Sequence, residues 1–353
     1  MRRLTMIYYE VDSGCIRKNI EVIKKRAGVP IWAVIKYDGY GVGLCAMADI
    51  VRSCGVLNFA VSEVEDLVKL REAGFTDVEI LVLSPHPGKD VETVLQNGGI
   101  FTIGDLSFAA EIEKAAAALG VTAKAHVKID TGLSRFGFFP NDYDKIRSVY
   151  TDYEHIDVLG IYSHFASAFA AKPDVTHAQI DKFKSVLAKL EADGIDRGMA
   201  HIANSPGLFR FEGTSFDAVR VGSALLGRVT GSSPDKTGLF RTGRLVTTVC
   251  QIRMLPKGTL FGYGGTFKVK SETPVAIVAG GPWSGVVSPR FRQIFLKHYN
   301  TAQFGDKRLP IIGSDGDGQT VLDVTGVDIH PGDTVIIDIN PLELNPSIKK
   351  VII

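Results

Sequence analysis

Ile31-Trp32-Ala33-Val34-Ile35-Lys36-Tyr37-Asp38-Gly39-Tyr40-Gly41-Val42-Gly43 is an apolar run that ends in a lysine and opens into a turn rich in glycine and tyrosine. An unbroken apolar run of this length suits a strand covered on both faces, as in a parallel sheet. Lys36 then falls at the carboxyl end of the strand, where barrels and open α/β sheets keep their chemistry. Apolar surroundings favour the neutral amine, which suits a Schiff-base nucleophile or a base. A lysine at a strand end can equally send its amine to solvent along its alkyl stem. The neighbouring segments decide between these readings.

Upstream, Met6 to Val11 reads as a short strand, and Asp12-Ser13 offers an N-cap to an amphipathic helix over Cys15 to Arg26. Downstream, helices are expected over Leu44 to Cys54, from Ser62 (with Glu65 at capping-box spacing) to Ala73, over Asp90 to Gln96, from Asp105 to Leu119, over Pro140 to Tyr150 and over Val175 to Ala192. Strands are expected between them at Asn58 to Val61, Val78 to Leu83, Ile100 to Ile103, Thr122 to Ile129, Ile156 to Ser163, Met199 to Ile202 and Ala218 to Val221. Strand and helix alternate about eight times, which points to a closed (β/α)8 TIM barrel over residues 12–235. No Gly-x-Gly-x-x-Gly follows the first strand, so a dinucleotide-binding half is not indicated, and Gly39 to Gly43 alone is a weak phosphate-loop signal.

Beyond about residue 235 helical periodicity fades. Arg244 to Met254, Thr266 to Lys270, Val275 to Ala279, Arg308 to Ile312, Val321 to Val324 and Thr334 to Ile339 read as strands separated by turns such as Pro256-Lys257-Gly258 and His330-Pro331-Gly332-Asp333. Residues 1–11 and 236–353 are therefore expected to form an all-β domain.

Composition narrows the partners. The 353 residues are 45% hydrophobic and 22% charged, with formal net charge +1, so nothing singles out nucleic acid or an anionic membrane surface. No apolar run approaches membrane-spanning length, and the N-terminal segment lacks the apolar core of a secretory signal. Cys15, Cys45, Cys54 and Cys250 form no Cys-x-x-Cys pair, which suits free thiols in the cytoplasm. No metal site is indicated: counted from Asp315, a calcium loop would need a bidentate glutamate where Gly326 stands.

The unusual polar residues of the first domain gather at strand ends: Lys36 with Tyr40, Lys128 with Asp130 and Arg135, His164, Asn204 with Ser205, and Arg220 with Gly222-Ser223. A lone histidine at a strand end is usually structural, but a closed barrel brings all of these to one rim. A lysine, two arginines and hydroxyl and glycine amide groups suited to a phosphate together suggest pyridoxal 5'-phosphate.

These motifs, in this order, resemble the alanine racemase family, over most of residues 1–340. Ala33-Val34-Ile35-Lys36-Tyr37-Asp38-Gly39-Tyr40-Gly41 is similar to the segment carrying the cofactor lysine, with Tyr40 on the phosphate. Val127 to Gly137 is similar to a second hallmark, implying Arg135 near the phenolic oxygen and the substrate carboxylate, and Lys128 as a lysine open to carbamylation. Ser163-His164-Phe165-Ala166 resembles the segment whose histidine packs by the pyridine ring. Ala203-Asn204-Ser205 and Val219-Arg220-Val221-Gly222 resemble the last barrel motifs, placing Asn204 in the cofactor site, Ser205, Gly222 and Ser223 on phosphate, and Arg220 at the pyridine nitrogen. Gly262-Tyr263-Gly264-Gly265 is similar to the segment bearing a second base, which in the family enters from the partner of a homodimer.

The resemblance implies a pyridoxal-phosphate-dependent isomerase that interconverts L- and D-alanine through Lys36 and Tyr263. An arginine at the pyridine nitrogen disfavours protonation of that atom by charge repulsion, and because the related barrel decarboxylases carry an acid at this position, the resemblance favours racemisation. A racemase for serine, lysine or ornithine, or a pyridoxal-phosphate binder with altered catalysis, are the alternatives. The departures lie in the β domain. Pro282 stands where the family has a tyrosine, Asp317 stands at a methionine that helps bind the substrate carboxylate, and no counterpart of a C-terminal phosphate tyrosine precedes Ile353. Asp315 or Asp317 could read a basic or polar substrate side chain, or belong to a solvated acidic turn.

Overall fold

The computed structural model describes residues 7–170, 173–232, 234–262, 265, 267–286, 301–313 and 318–353. The chain divides into two compact units, Gly14–Arg241 and the segment through Ser13 joined with Thr242–Ile353.

We number strands in chain order: β1 (Tyr8–Val11), β2 (Ile31–Val34), β3 (Asn58–Val61), β4 (Glu79–Val82), β5 (Ile100–Ile103), β6 (Ala123–Lys128), β7 (Ile156–Tyr162), β8 (Met199–His201) and β9 (Val219–Val221). Strands β2 to β9 are parallel in the order β8-β7-β6-β5-β4-β3-β2-β9, and a bridge between His201 and Ala218 joins the two ends into a barrel. Every residue of β2 is buried, as its apolar composition demands of a strand walled by the barrel interior on one side and helices on the other. Trp32, Val34, Ala60, Leu81, Ile100, Tyr162 and Ala218 pack together as a core cluster, so the barrel is filled rather than open.

The helices follow their apolar spacing, but their ends differ in chemistry. Asp105 accepts a hydrogen bond from the Phe108 amide (2.9 Å), and Gly120 closes the same helix, Leu106–Leu119, in the left-handed region, as expected. The capping box read at Ser62 and Glu65 does not form. That helix is Val64–Glu72, Glu63 is its N-cap, and no side chain caps it. The Ser62 carbonyl accepts from His86 Nε2 at 2.7 Å, and Ser62 lines the cavity described below. A helix absent from the sequence reading, Ser205–Arg210, begins where the Asn204 side chain accepts from the Gly207 amide (2.9 Å) and Pro206 occupies the first turn.

The second unit adds β10 (Gly243–Leu255), β11 (Leu260–Phe261), β12 (Phe267–Lys268), β13 (Thr273–Ala279), β14 (Thr301–Phe304), β15 (Lys307–Gly313), β16 (Gln319–Asp323), β17 (Thr334–Ile337) and β18 (Lys350–Ile352). Its main sheet runs β13-β16-β15-β14-β17-β10-β1-β18, and β10 also pairs with β13. The 13-residue β10 does both jobs by changing partner along its length. Leu245–Thr248 pair with β17, Val249–Leu255 with β13, and a bulge lies between Val249 and Gln251. The N-terminal β1 lies between β10, antiparallel, and β18, parallel. The short strands β11, β14 and β18 carry too little alternation to be read from sequence. Among the described residues, no helix is long and apolar enough to cross a membrane.

Candidate active site

The residue after β2 that begins the rim is Ile35, and from Lys36 the backbone turns against the usual hand. Tyr37, Asp38 and Gly39 have φ/ψ of 54/55, 55/47 and 61/37, and Tyr40 has φ 55. Left-handed conformation costs an L-residue about 1–2 kcal/mol, and three of these four carry a Cβ. The turn is held from both ends. The Gly39 amide donates to Ile35 O at 3.0 Å and Gly43 to Asp38 O at 2.9 Å, and the Asp38 carboxylate accepts from the Leu44 amide at 3.0 Å. Gly39 is obligatory, because a Cβ there would stand 2.9 Å from Met47 Cβ. The turn sends Lys36 and Tyr40 into one cavity of about 300 Å³.

That cavity is also lined by Arg135, His164, Asn204, Ser205, Arg220, Gly222 and Ser223. The structure therefore brings the residues selected at five strand ends to one rim, with Lys128 set behind them. Tyr263 and Asp317, chosen for the second base and the substrate contact, lie outside the described residues, as does Asp315. Pro282 begins a short 3-10 turn, Pro282–Ser284, in the β unit.

Lys36 is held below the ordinary lysine range, first by burial and then by the positive charge of Arg135, with Glu63 pulling the other way. At the other end of the cavity, burial pushes the Tyr40 phenol up to about 12, so it is a hydrogen-bond donor at neutral pH. Gly222 has to be glycine, since a Cβ would lie 2.3 Å from the Tyr40 hydroxyl oxygen. The Ser205 hydroxyl accepts from the amides of Gly222 (3.3 Å) and Ala224 (3.1 Å), which leaves its own proton to donate.

Arg220 is buried and held by several acceptors. Its Nη1 donates to His201 Nδ1 (2.7 Å) and His201 O (3.1 Å), and its Nη2 donates to Ser163 O (2.5 Å) and approaches His164 Nδ1 (3.4 Å). Its guanidinium carbon lies 4.6 Å from the centre of the Tyr162 ring. These contacts dictate tautomers. With His201 Nδ1 accepting, its proton sits on Nε2 and is donated to His126 Nδ1 at 2.9 Å. Burial, and then the Arg220 charge, push His126 down to about 3 and His201 and His164 well below the usual histidine value. Burial also brings Arg220 down to about 10, which still leaves it cationic at neutral pH.

The Arg135 loop is shaped by one carboxylate. Asp130 Oδ1 accepts from the amides of Gly132, Leu133 and Ser134 (2.9, 2.9 and 3.0 Å), and Oδ2 from that of Arg135 (3.1 Å). Burial alone would raise this carboxyl, but the backbone donors outweigh it and hold Asp130 below the usual range. Gln179 joins this loop to the next: its Oε1 accepts from the Ala166 amide (2.9 Å), and its Nε2 donates to Thr131 Oγ1 and His164 O (both 3.1 Å). Lys128 is buried against the Tyr162 ring, 5.2 Å from its centre, and donates to Ile129 O at 2.9 Å. Burial, and then Arg220, bring it down to about 7, so an appreciable fraction is neutral at physiological pH.

Sequence reasoning missed His126, His201, Gln179, Tyr37 and Glu63. The first was within reach: His126 and Lys128 share the inward face of β6 by strand alternation, the period-two rule that also marks Asp130. Gln179 sits on an otherwise ordinary amphipathic helix, Asp174–Ala192, and nothing local distinguishes it.

Residues 11–229 match the family described as "Alanine racemase, N-terminal domain", and residues 242–351 match "Alanine racemase, C-terminal domain". Alanine racemase 1 of Caldanaerobacter subterraneus subsp. tengcongensis is 31% identical over 338 residues, covering 93% of this chain and 84% of that one. The solved alanine racemase from Streptomyces coelicolor A3(2) superposes with a TM-score of 0.88 at 25% identity, covering 98% of each chain. The alanine racemase from Bartonella henselae, solved with covalently bound pyridoxal phosphate, gives a TM-score of 0.82 at 25% identity over 98% of this chain and 99% of that one.

Proposed function

The chain belongs to the alanine racemase family, and from that membership we propose that it is a pyridoxal-phosphate-dependent alanine racemase working with two bases. The observation that carries the reading is that Lys36 and a fixed, cationic Arg220 line one cavity with a hydroxyl-and-glycine cradle. The residues fit the cofactor. Lys36 offers an amine of lowered basicity for the carbonyl carbon, and Tyr40, Ser205 and Gly222 offer donors and close backbone approach for a phosphate. Arg220 offers a nitrogen donor whose Nε–H takes no part in the bonds that anchor it. When bound, the cofactor supplies an electron sink that acidifies the α-hydrogen of an amino acid.

The chain's own residues do the rest. Arg220, which stays charged while its anchoring histidines stay neutral, would keep a proton off the pyridine nitrogen of a bound cofactor. Arg135, whose backbone amide is held by Asp130, would meet the substrate carboxylate, and His164, which lines the same cavity, would face the cofactor ring. Lys36 Nζ takes or returns the α-proton on one face, and Tyr263, from the partner of a homodimer, serves the other. Lys128, neutral in part at physiological pH, is set up to react with carbon dioxide, and the resulting carbamate would turn a cation near Arg135 into an anion. Its signature is added mass of one carbon dioxide on Lys128 in intact protein kept in bicarbonate. We place the enzyme in the cytoplasm, which suits a chain whose four cysteines show no Cys-x-x-Cys spacing.

The test is a chiral assay of the purified, cofactor-loaded protein with each enantiomer of alanine in deuterated water, alongside serine, lysine and ornithine. Alanine should racemise fastest and lose its α-hydrogen to solvent from either enantiomer. Faster turnover of another amino acid would reassign the substrate, and exchange from a single enantiomer would sink the two-base assignment.

A further inference from the structure

Tyr37 occupies an expensive place. Its φ of +54 and ψ of +55 lie in the left-handed region, where glycine or asparagine is the inexpensive residue. Burial does not offset this, because the side chain is 59% exposed. Among the described residues no hydrogen bond involves its hydroxyl. Strain at a non-glycine residue with no packing return is characteristic of a functional site. What the ring does contact is the neighbouring amine: Lys36 Nζ lies 4.7 Å from its centre, within the range in which an ammonium is attracted to an aromatic face, and both residues line the cavity.

We propose that Tyr37 is a positioning residue for Lys36, its ring holding the lysine nitrogen at the cavity wall as an ammonium whenever that nitrogen is not joined to the cofactor. A neutral amine gains little from an aromatic face, so the ring acts selectively on the protonated form. The other groups around Lys36 divide. Arg135 and burial oppose its charge and Glu63 supports it, while Tyr40, His164 and Arg220 line the same cavity. Of these contacts, only the ring is supplied by the residue next in the chain, so it tracks the lysine wherever the turn places it. The consequence for catalysis is a lysine that keeps the α-proton long enough to return it.

The inference rests on the reading of Lys36 as the cofactor lysine, and the experiment separates the two. The full-length protein is stripped of pyridoxal phosphate and labelled with trace acetic anhydride from neutral to strongly alkaline pH. Mass spectrometry of the Lys36 peptide then gives the midpoint at which the amine becomes reactive. In Tyr37→Leu, which keeps bulk without the ring, the midpoint should fall by roughly half to one pH unit. In Tyr37→Phe, which keeps the ring, it should stay where it is in the wild type. A wild-type midpoint in Tyr37→Leu, or an equal fall in Tyr37→Phe, overturns the proposal. Tyr37→Gly adds a second measurement: with the left-handed penalty relieved, thermal unfolding should move up by about 2–4 °C while the Lys36 midpoint falls as in Tyr37→Leu. A lower unfolding temperature with an unmoved midpoint would make Tyr37 merely structural. Reloading with pyridoxal phosphate should shield Lys36 from label in the wild type, and absence of shielding refutes the cofactor-lysine reading independently of what Tyr37 does.

Discussion

The floor of the cavity and its rim are held by opposite means. On the floor, Arg220, His201 and His126 form a buried chain in which each hydrogen bond between side chains fixes the tautomer of the next group. At the rim, the turn from Tyr37 to Tyr40 is left-handed and in part exposed, and its geometry is imposed from outside by Gly39, Asp38 and the helix that follows. Satisfaction gives the floor one arrangement and no reason to leave it. Strain gives the rim a lysine whose neighbours can change without unpacking a core. Under the proposed function, the floor would serve a ring nitrogen kept unprotonated and the rim an amine that exchanges partners.

The comparison can be broken most decisively at the rim. Lys36→Ala should lower racemisation by on the order of a thousandfold and abolish the absorption band of lysine-bound cofactor, with the fold unchanged by circular dichroism. Persistence of the band would assign the cofactor to another amine. On the floor, Arg220→Glu should lower racemisation by roughly a hundredfold or more. It should also divert part of the turnover to keto acid, since a carboxylate there favours a protonated ring. Loss of rate with no new product would confine Arg220 to binding.

A smaller effect sharpens the contrast through pH. His126 and His201 titrate below the usual histidine value in the folded protein, His126 at about 3, so as pH falls below about 6.5 the unfolded chain binds more protons than the folded one. Stability from these groups is complete above pH 6.5 and is lost as pH falls, at about 1.4 kcal/mol per pH unit for each histidine. His201→Leu should cost about 1–3 kcal/mol at neutral pH, because Arg220 Nη1 loses an acceptor, and should flatten the acid slope measured by denaturant titration. An unchanged slope would mean that the buried imidazoles do not govern acid unfolding.

The smallest effect concerns helix ends. Asp105→Ala should cost about 1 kcal/mol, while Ser62→Ala should stay within about 0.5 kcal/mol, since only the first side chain caps a helix. The same pair shows what sequence could and could not disclose. Asp105 followed by a helix closed at Gly120 was legible because both ends obey local rules. Ser62 with Glu65 has the right spacing, but Glu63 takes the N-cap position, and the Ser62 carbonyl bonds His86, 24 positions away, a contact that local rules cannot see. The alternation of strand and helix announced the barrel, and strand ends announced Lys36, Arg135, His164 and Arg220. His126 was within reach by strand alternation, but the partners of these supporting groups were hidden because they depend on which strands and helices come together in the barrel. His126 and His201 meet inside the barrel from β6 and β8, the two neighbours of β7, and Gln179 reaches its two loops from a helix. The left-handed turn was hidden too, because Tyr37 is a residue that no propensity would place there.

The placement of β1 between β10 and β18 has a consequence in time. Its two partners lie at Gly243–Leu255 and Lys350–Ile352, more than two hundred residues further along the chain. At about 5–20 residues per second, a ribosome takes roughly 10–50 s to travel from the end of β1 to the start of β10. Throughout that interval the nascent chain carries a finished strand with nothing to pair it. Two chains emerging from one message could each offer that strand to the other, so the same pairing that joins segments distant in sequence sets the window in which newly made copies are most exposed to exchanging them.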